Sequence, residues 1–266
     1  MARGKAADFT SAHPCATFTP PKGATMKPNR VWIAVSLLAA ALPVCAKDLN
    51  QLQTLSQSEF KALSEDLGAA LSYKPLTPTE PLGVTGFDVG AAVTATRLKH
   101  ADLFDRATSS GSFPSTLAVP TLRASKGLPL NFDASLMFSA IPHTSIKVWG
   151  GALSYALVPG DVALPAIGVR ASYTKLFGVN QLEFNTAGVD LSASKGFGLF
   201  TPYAGLGRVW ATSTPTGGVV GLNRESFWLN KYFAGLNFKL GVANLAMEWD
   251  RTGRANSYGA KLGVRF

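Results

Sequence analysis

Charge is scarce in this chain. Asp, Glu, Lys and Arg make up 15% of its 266 residues, against about 25% in an ordinary soluble domain. Cysteine is limited to Cys15 and Cys45, and histidine to His13, His100 and His143. The Cys/His spacings of a structural zinc site are therefore missing. No block of basic residues accompanies the formal charge of +9, which argues against nucleic acid as a partner. Long hydrophobic runs are lacking as well. Val148–Gly160 is free of charge, but Gly150-Gly151, Pro159-Gly160 and Pro165 break it and its continuation. No segment after the leader approaches the ~20 apolar residues of a membrane-spanning helix.

What the chain has in quantity is small and apolar. Hydrophobic residues reach 47% and glycines number 26. That balance suits a soluble all-β domain, or a sheet wall that faces lipid on one side and a polar lumen on the other.

Residues 1–46 favour the second reading. Lys27 and Arg30 stand beside Met26, an apolar run follows from Val31 to Leu42, and Pro43-Val44-Cys45-Ala46 closes it. A basic start, a short apolar core and small residues before the cut are the parts of a secretory signal. We therefore expect a leader over 1–46, with its signal at 26–46, translation starting at Met26 and cleavage after Ala46. Processing would remove both cysteines, leaving no disulfide, and lower the charge from +9 to +5 by taking Arg3, Lys5, Lys22, Lys27, Arg30 and Asp8. Leu42-Pro43-Val44-Cys45 also resembles a lipoprotein box, with Val44 bulkier than that motif favours.

Residues 47–84 read as a helix and a linker. Ser56 and Glu59 have the spacing of a capping box. Phe60, Leu63, Leu67 and Leu71 form one apolar stripe, with Lys61, Ser64, Glu65 and Ser72 off it. Gly68 weakens the helix and Pro75 ends it. Pro75, Pro78 and Pro81 then favour an extended linker. We place this short amphipathic helix on the periplasmic side and expect it to pack on its own domain; plugging the barrel, covering its periplasmic mouth and docking on a partner are the alternatives.

From Thr85 the period changes to two. Phe87, Val89, Ala91, Val93 and Ala95 alternate with Asp88, Gly90, Ala92, Thr94 and Thr96, so the two sets face opposite sides of a strand. Phe132, Ala134, Leu136 and Phe138 repeat the pattern against Asp133, Ser135, Met137 and Ser139. Ile167, Val169, Ala171 and Tyr173 do so against Gly168, Arg170, Ser172 and Thr174. Less regular strands fall near 116–125, 145–157, 182–193, 202–212 and 227–240, and the last two end at Asp250 and Phe266. In 182–193 the apolar phase switches between Phe184 and Ala187, which predicts a bulge near Asn185–Gly188. Pro120 should cost its strand one ladder bond. The count is ten, with eight or twelve as neighbours. Both long connections, 98–115 and 213–225, fall on one side, as external loops do in outer-membrane barrels.

The end, Tyr-Gly-Ala-Lys-Leu-Gly-Val-Arg-Phe over 258–266, together with the signal and the alternating strands, resembles the bacterial single-chain outer-membrane β-barrel proteins. The resemblance implies an all-β fold, an antiparallel transmembrane β-barrel over 85–266. It also implies that Tyr258, Leu262, Val264 and Phe266 form a recognition signal for the barrel-assembly machinery. In lipid every backbone N–H and C=O needs an internal partner, so such a sheet must close. The apolar face then points outward, and Asp88, Arg123, Asp133, Arg170, Asp190, Arg208, Lys239, Glu248, Lys261 and Arg265 are the expected lumen-facing charges. Tyr73, Tyr155, Tyr173, Tyr203, Trp210, Tyr232, Trp249 and Tyr258 would serve as interfacial girdles.

Chemistry is thinly marked. His100 with Asp102 or Asp105 and Ser109 or Ser110 contains the residue types of a hydrolase triad, though sequence neighbours in a polar loop rarely assemble that geometry. His143 reads as a turn residue. Asp102 and Asp105 form at most a weak calcium pair, and Gly205-x-Gly207 and Gly217-Gly218 lack the strand–helix context of a phosphate loop. We expect no catalytic residues, metal or cofactor. Expected partners are outer-membrane lipids, lipopolysaccharide and the assembly machinery; nothing sets an oligomeric state. The expected role is a narrow channel or transporter for small solutes, with a structural or adhesin-like barrel next and a lipid-modifying enzyme last. Paired lumen charges can equally fill a small barrel.

Overall fold

The computed structural model describes residues 49–108, 113–141 and 145–266. The leader 1–46 with its signal, Cys15, Cys45, His13, His143, Ser109 and Ser110 lie outside the described residues.

Ten strands of the described residues close into one antiparallel barrel. They are β1 (Phe87–Arg97), β2 (Thr116–Gly127), β3 (Phe132–Ala140), β4 (Lys147–Val158), β5 (Ala166–Phe177), β6 (Leu182–Ser194), β7 (Phe200–Pro215), β8 (Glu225–Leu240), β9 (Ala243–Thr252) and β10 (Ala255–Arg265). Each pairs with its sequence neighbours, and β10 returns to β1 from Asp88↔Arg265 to Arg97↔Asn256. Every strand anticipated from the alternation is present. The connections 128–131, 159–165, 195–199 and 241–242 share one rim with Phe87 and Phe266. The connections 98–115, 141–146, 178–181, 216–224 and 253–254 form the opposite, long-loop rim.

The barrel is apolar outside and polar inside over much of its length. On β3 Leu136 is 66% exposed while Ser135 is 8% exposed; on β6 Val189 is 62% exposed while Asp190 is 1% exposed. A water-soluble barrel would bury the apolar set instead. Pro120 sits where β2 pairs with β1 alone, since the β2–β3 ladder begins at Leu122. Its missing N–H therefore leaves no β3 carbonyl unpaired.

The bulge expected near Asn185–Gly188 is not there. Pairing of β6 with β5 and with β7 runs unbroken through those residues, and the register shift lies at Ala156/Val158 instead. The apolar phase of β6 changes because the interior changes. Leu182 and Phe184 point inward into an apolar core at the long-loop end, whereas Thr186, Asp190, Ser192 and Ser194 point inward into a polar one.

That apolar core is built around α1 (Gln57–Leu71). Its capping box is formed: Ser56 accepts from the Glu59 N–H, and Glu59 accepts from the Ser56 N–H at 2.8 Å. Phe60, Leu63, Leu67 and Leu71 are all buried, and so are Ser64 and Asp66 on other faces, because barrel wall surrounds the helix. They meet Leu117, Met137, Val148, Leu176, Leu182 and Phe184 of the wall. Gly68 matters for close approach: a Cβ there would lie 2.8 Å from Leu229 Cδ1 and 3.4 Å from Ala211 Cβ. The helix thus fills the long-loop end of the barrel interior, as the plugging alternative had it. A second helix, α2 (Ala101–Ala107), lies within the first long connection and buries Leu103 and Phe104 in the same core.

Candidate functional site: an occupied lumen

After α1 the chain turns into the barrel and runs extended through it, reaching the short-turn rim where β1 begins. Such a segment has no ladder of its own, so each buried backbone N–H and C=O needs a side-chain partner. Pro75, Pro78 and Pro81 reduce that demand by carrying no N–H. The wall supplies the rest. Arg123 donates to the Pro75 carbonyl at 3.2 Å and Glu248 accepts from the Leu76 N–H at 2.7 Å. Ser194 accepts from the N–H groups of Thr79 and Glu80 at 3.1 and 3.2 Å. Arg265 donates to the Glu80 carbonyl at 3.2 Å, and Asp133 accepts from the Leu82 N–H at 3.1 Å. Lys126 donates to the Val84 carbonyl at 2.7 Å.

Side chains lock the same segment from both ends. Lys74 pairs with Asp250 at 2.5 Å. Lys231 pairs with Asp190 at 2.9 Å and donates to the Tyr73 carbonyl at 2.8 Å. Lys261 pairs with Asp88 at 2.7 Å, and Asn244 also donates to Asp88. At the short-turn mouth Lys239 pairs with Glu80 at 3.3 Å. The Arg123 guanidinium lies 4.7 Å from the centre of the Tyr73 ring. Arg170 donates to Ser154 at 3.0 Å. Lumen glycines make room: a Cβ at Gly259 would sit 2.8 Å from Leu76 Cδ2, and one at Gly168 would sit 2.9 Å from Thr79 Cγ2.

The structure thus places Asp88, Arg123, Asp133, Arg170, Asp190, Lys239, Glu248, Lys261 and Arg265 on the inner face, around residues 73–84. Arg208 is corrected. It is exposed on the outer face with Leu206 and Trp210, because the β6 register sets Gly207, not Arg208, beside Asp190. Tyr203 takes the inner face of β7 and donates to Glu248 at 2.9 Å. It and the buried Tyr73 therefore do not belong to an outer girdle. Tyr173, Tyr232, Trp249 and Tyr258 are exposed on the outer face. Tyr258, Leu262 and Val264 share the outer face of β10, and the Phe266 ring meets Phe87 across the closure, tilted by 41° with centres 4.7 Å apart.

Sequence reasoning missed Lys74, Lys231 and Asp66. Lys231 was detectable: it alternates with Tyr232 on the same face as Lys239. Lys74 follows no period, and its role exists only because the chain doubles back into the barrel. Asp66 accepts from the N–H groups of Lys99 and His100 at 2.8 and 2.7 Å, so it ties α1 to the start of α2. His100 Nδ1 lies 3.4 Å from Asp66, not against Asp102 or Asp105. Asp105 instead accepts from the Phe113 N–H. Among the described residues no group of three or more His, Cys, Asp or Glu side chains is arranged to hold a metal ion.

An open cavity of about 350 Å³ lies at the short-turn mouth, between Glu80, Asp161, Ser194 and Lys239; the cavities deeper between segment and wall are small. One is lined by Thr77, Glu80, Asp133, Arg170 and Arg265, another by Lys74, Thr94 and Arg123, and each measures about 20 Å³, room for about one water.

No protein-family model and no curated protein matches the chain. Solved structures do. The N-terminal β-barrel domain of OprF from Pseudomonas aeruginosa is 13% identical, with a TM-score of 0.37, covering 69% of this chain and 99% of that one. Neisserial surface protein A is 12% identical, with a TM-score of 0.29 and coverage of 68% and 94%. The translocator domain of the autotransporter NalP from Neisseria meningitidis is 11% identical, with a TM-score of 0.33 and coverage of 79% and 93%. The barrel assignment rests on the strand pairing itself.

Proposed function

We propose that this protein is an outer-membrane barrel closed by its own N-terminal segment, which acts as a structural or surface-interaction barrel and not as an open channel. The observation that carries this reading is the occupied lumen: residues 73–84 fill it and are held by wall side chains along their length. The apolar outer wall supports placement in lipid, where only a closed sheet satisfies its backbone. Short turns and both barrel ends at one rim support a periplasmic position for that rim. The long-loop rim, with α1 and α2, then faces outside. In this reading Tyr258, Leu262, Val264 and Phe266 are the signal read by the assembly machinery. Passage of a solute would require displacement of residues 73–84 and loss of the Lys74–Asp250 and Lys231–Asp190 pairs.

Single-channel recording of the protein refolded into planar bilayers tests this. Wild-type protein should insert without stepwise currents, and a variant lacking residues 49–84 should conduct. Stepwise currents from the wild type would overturn the closed-barrel reading and favour a channel. Insertion itself is checked by heat-modifiable migration on gels.

A further inference from the structure

The outward turn of Arg208 places it beside other exposed polar groups. Arg208 pairs with Asn230 across β7 and β8, and its Nε donates to Asn230 Oδ1 at 3.3 Å. On the neighbouring strands Arg251 pairs with Asn256, and Asn256 pairs with Arg97. Alternation puts all five on the outer face: Lys231, Asp250, Thr252, Ser257 and Thr96, their chain neighbours, are buried. Three arginines and two asparagines therefore form one outward band over β7, β8, β9, β10 and β1.

This band is built differently from the lumen. Each inward lysine named above faces a carboxylate. No ion pair among the described residues involves Arg97, Arg208 or Arg251, so three positive charges stand together uncompensated. A lipid-facing arginine is costly at the bilayer midplane and tolerated near the interface. Arg97, Arg251 and Asn256 lie at the long-loop ends of β1, β9 and β10, Asn230 and Arg208 lie five and seven residues inside those of β8 and β7, and exposed Trp228, Tyr232, Trp249 and Tyr258 adjoin the band. Aromatics of that kind sit at head-group level. The charges are thus held where a leaflet presents its phosphates.

We propose that Arg97, Arg208 and Arg251, with Asn230 and Asn256, bind a bisphosphorylated glycolipid of the leaflet at the long-loop rim. The inference rests on the membrane placement proposed above. Neighbouring strands are about 4.8 Å apart, so Arg251 lies about 10 Å across the sheet from Arg97; Arg208 is also two strands from Arg251 but two residues farther along, because Arg251 pairs with Tyr232 and Arg208 with Asn230. A head group with phosphates on two linked sugars reaches two of these arginines at once. The single phosphodiester of a glycerophospholipid reaches one. Guanidinium groups engage phosphate oxygens in pairs, and the asparagines supply donors and acceptors for sugar hydroxyls.

The test compares wild type with R97Q/R208Q/R251Q, each refolded in detergent and titrated with bisphosphorylated lipid A, monophosphoryl lipid A, phosphatidylglycerol or inorganic phosphate. Bound lipid is counted by native mass spectrometry. A K61Q/K99Q variant removes long-loop charge away from the wall as a control. The triple variant should bind bisphosphorylated lipid A at least ten-fold more weakly than wild type, with the control unchanged and the other probes weak throughout. Equal binding by the triple variant would overturn the site. Arginine-dependent binding of phosphatidylglycerol or inorganic phosphate as strong as that of lipid A would overturn the glycolipid assignment. Heat-modifiable migration and liposome insertion separate the two levels. A wild type that inserts but ignores lipid A sinks only the site, and one that fails to insert sinks the membrane reading with it.

Discussion

The two halves of the barrel interior have opposite chemistry although the same strands run through both. Toward the long-loop rim the wall presents Leu117, Met137, Val148, Leu176 and Phe184 and encloses α1. Toward the short-turn rim it presents Asp88, Asp133, Ser192, Ser194 and Lys261 and encloses extended chain. The difference follows from what fills each half. A helix satisfies most of its own backbone groups, so apolar wall can pack on it. An extended, proline-rich segment satisfies none, so the wall must bring hydrogen-bonding side chains to it. Lumen polarity in this protein answers the backbone of its own plug.

The largest expected effect comes from breaking the polar half. Asp190→Ala would leave Lys231, 1% exposed, without its carboxylate. Removal of one partner of a buried pair costs about 3–5 kcal/mol, and urea unfolding of the refolded protein should show that loss for the whole barrel. An unchanged midpoint would mean that the polar half tolerates an unpaired ammonium and that the contrast drawn above is wrong.

Breaking the apolar half should act locally. Leu67→Ala empties part of the core around α1, and truncations of this kind cost about 2–5 kcal/mol. Protease cleavage within 57–71 should accelerate while amide exchange of β6 and β9 stays slow. Equal loosening of those strands would show that helix and barrel unfold as one unit.

A third substitution contrasts the inner and outer faces of one strand. Leu136→Arg puts a charge on the outer face of β3, at a cost of about 2–4 kcal/mol in bilayers if the site faces mid-membrane lipid. Folding yield in liposomes should fall, with little change in micelles of a detergent that wets the wall. No difference between the two media would argue that this face meets water.

The smallest effect is one of pH at the helix start. The Ser56 N–H and the Arg106 guanidinium hold the Glu59 carboxyl at about 2, below the ordinary 4.5. A depressed carboxyl contributes stability above its unfolded value and loses it as pH falls through the folded one. Protection of the first-turn amides of α1, taken relative to their intrinsic exchange at each pH, should therefore fall between pH 4.5 and about 2, and Glu59→Gln should flatten that profile. Glu59 is partly exposed at the first turn, so the change should remain confined to the helix start.

Much of the fold was legible because period-two alternation survives wherever one face must be apolar. The strands containing Phe87–Ala95 and Phe132–Phe138 alternate without interruption, and Ser56 with Glu59 announced the helix. The misreadings share one cause. Arg208 lies between Gly207 and Val209, so local alternation did not fix its phase; pairing with Asp190 and Gly207 did. Phe184 looked like a slipped residue because a polar lumen was assumed throughout. Tyr203 looked like a girdle residue because nothing local reveals an inward acceptor such as Glu248.

The sequence by itself determined the places of the strands along the chain, the capped helix and the outward apolar face, and closure settled their number at ten. Each of these is written in spacings of two to four residues, over which backbone geometry alone decides where side chains point. Only the tertiary structure decided that residues 73–84 return through the lumen, that Lys74 meets Asp250 and Lys231 meets Asp190, and that Arg97, Arg208 and Arg251 share one band. Those contacts join residues up to 176 positions apart, and their partners are chosen by barrel closure and register, which no local period encodes.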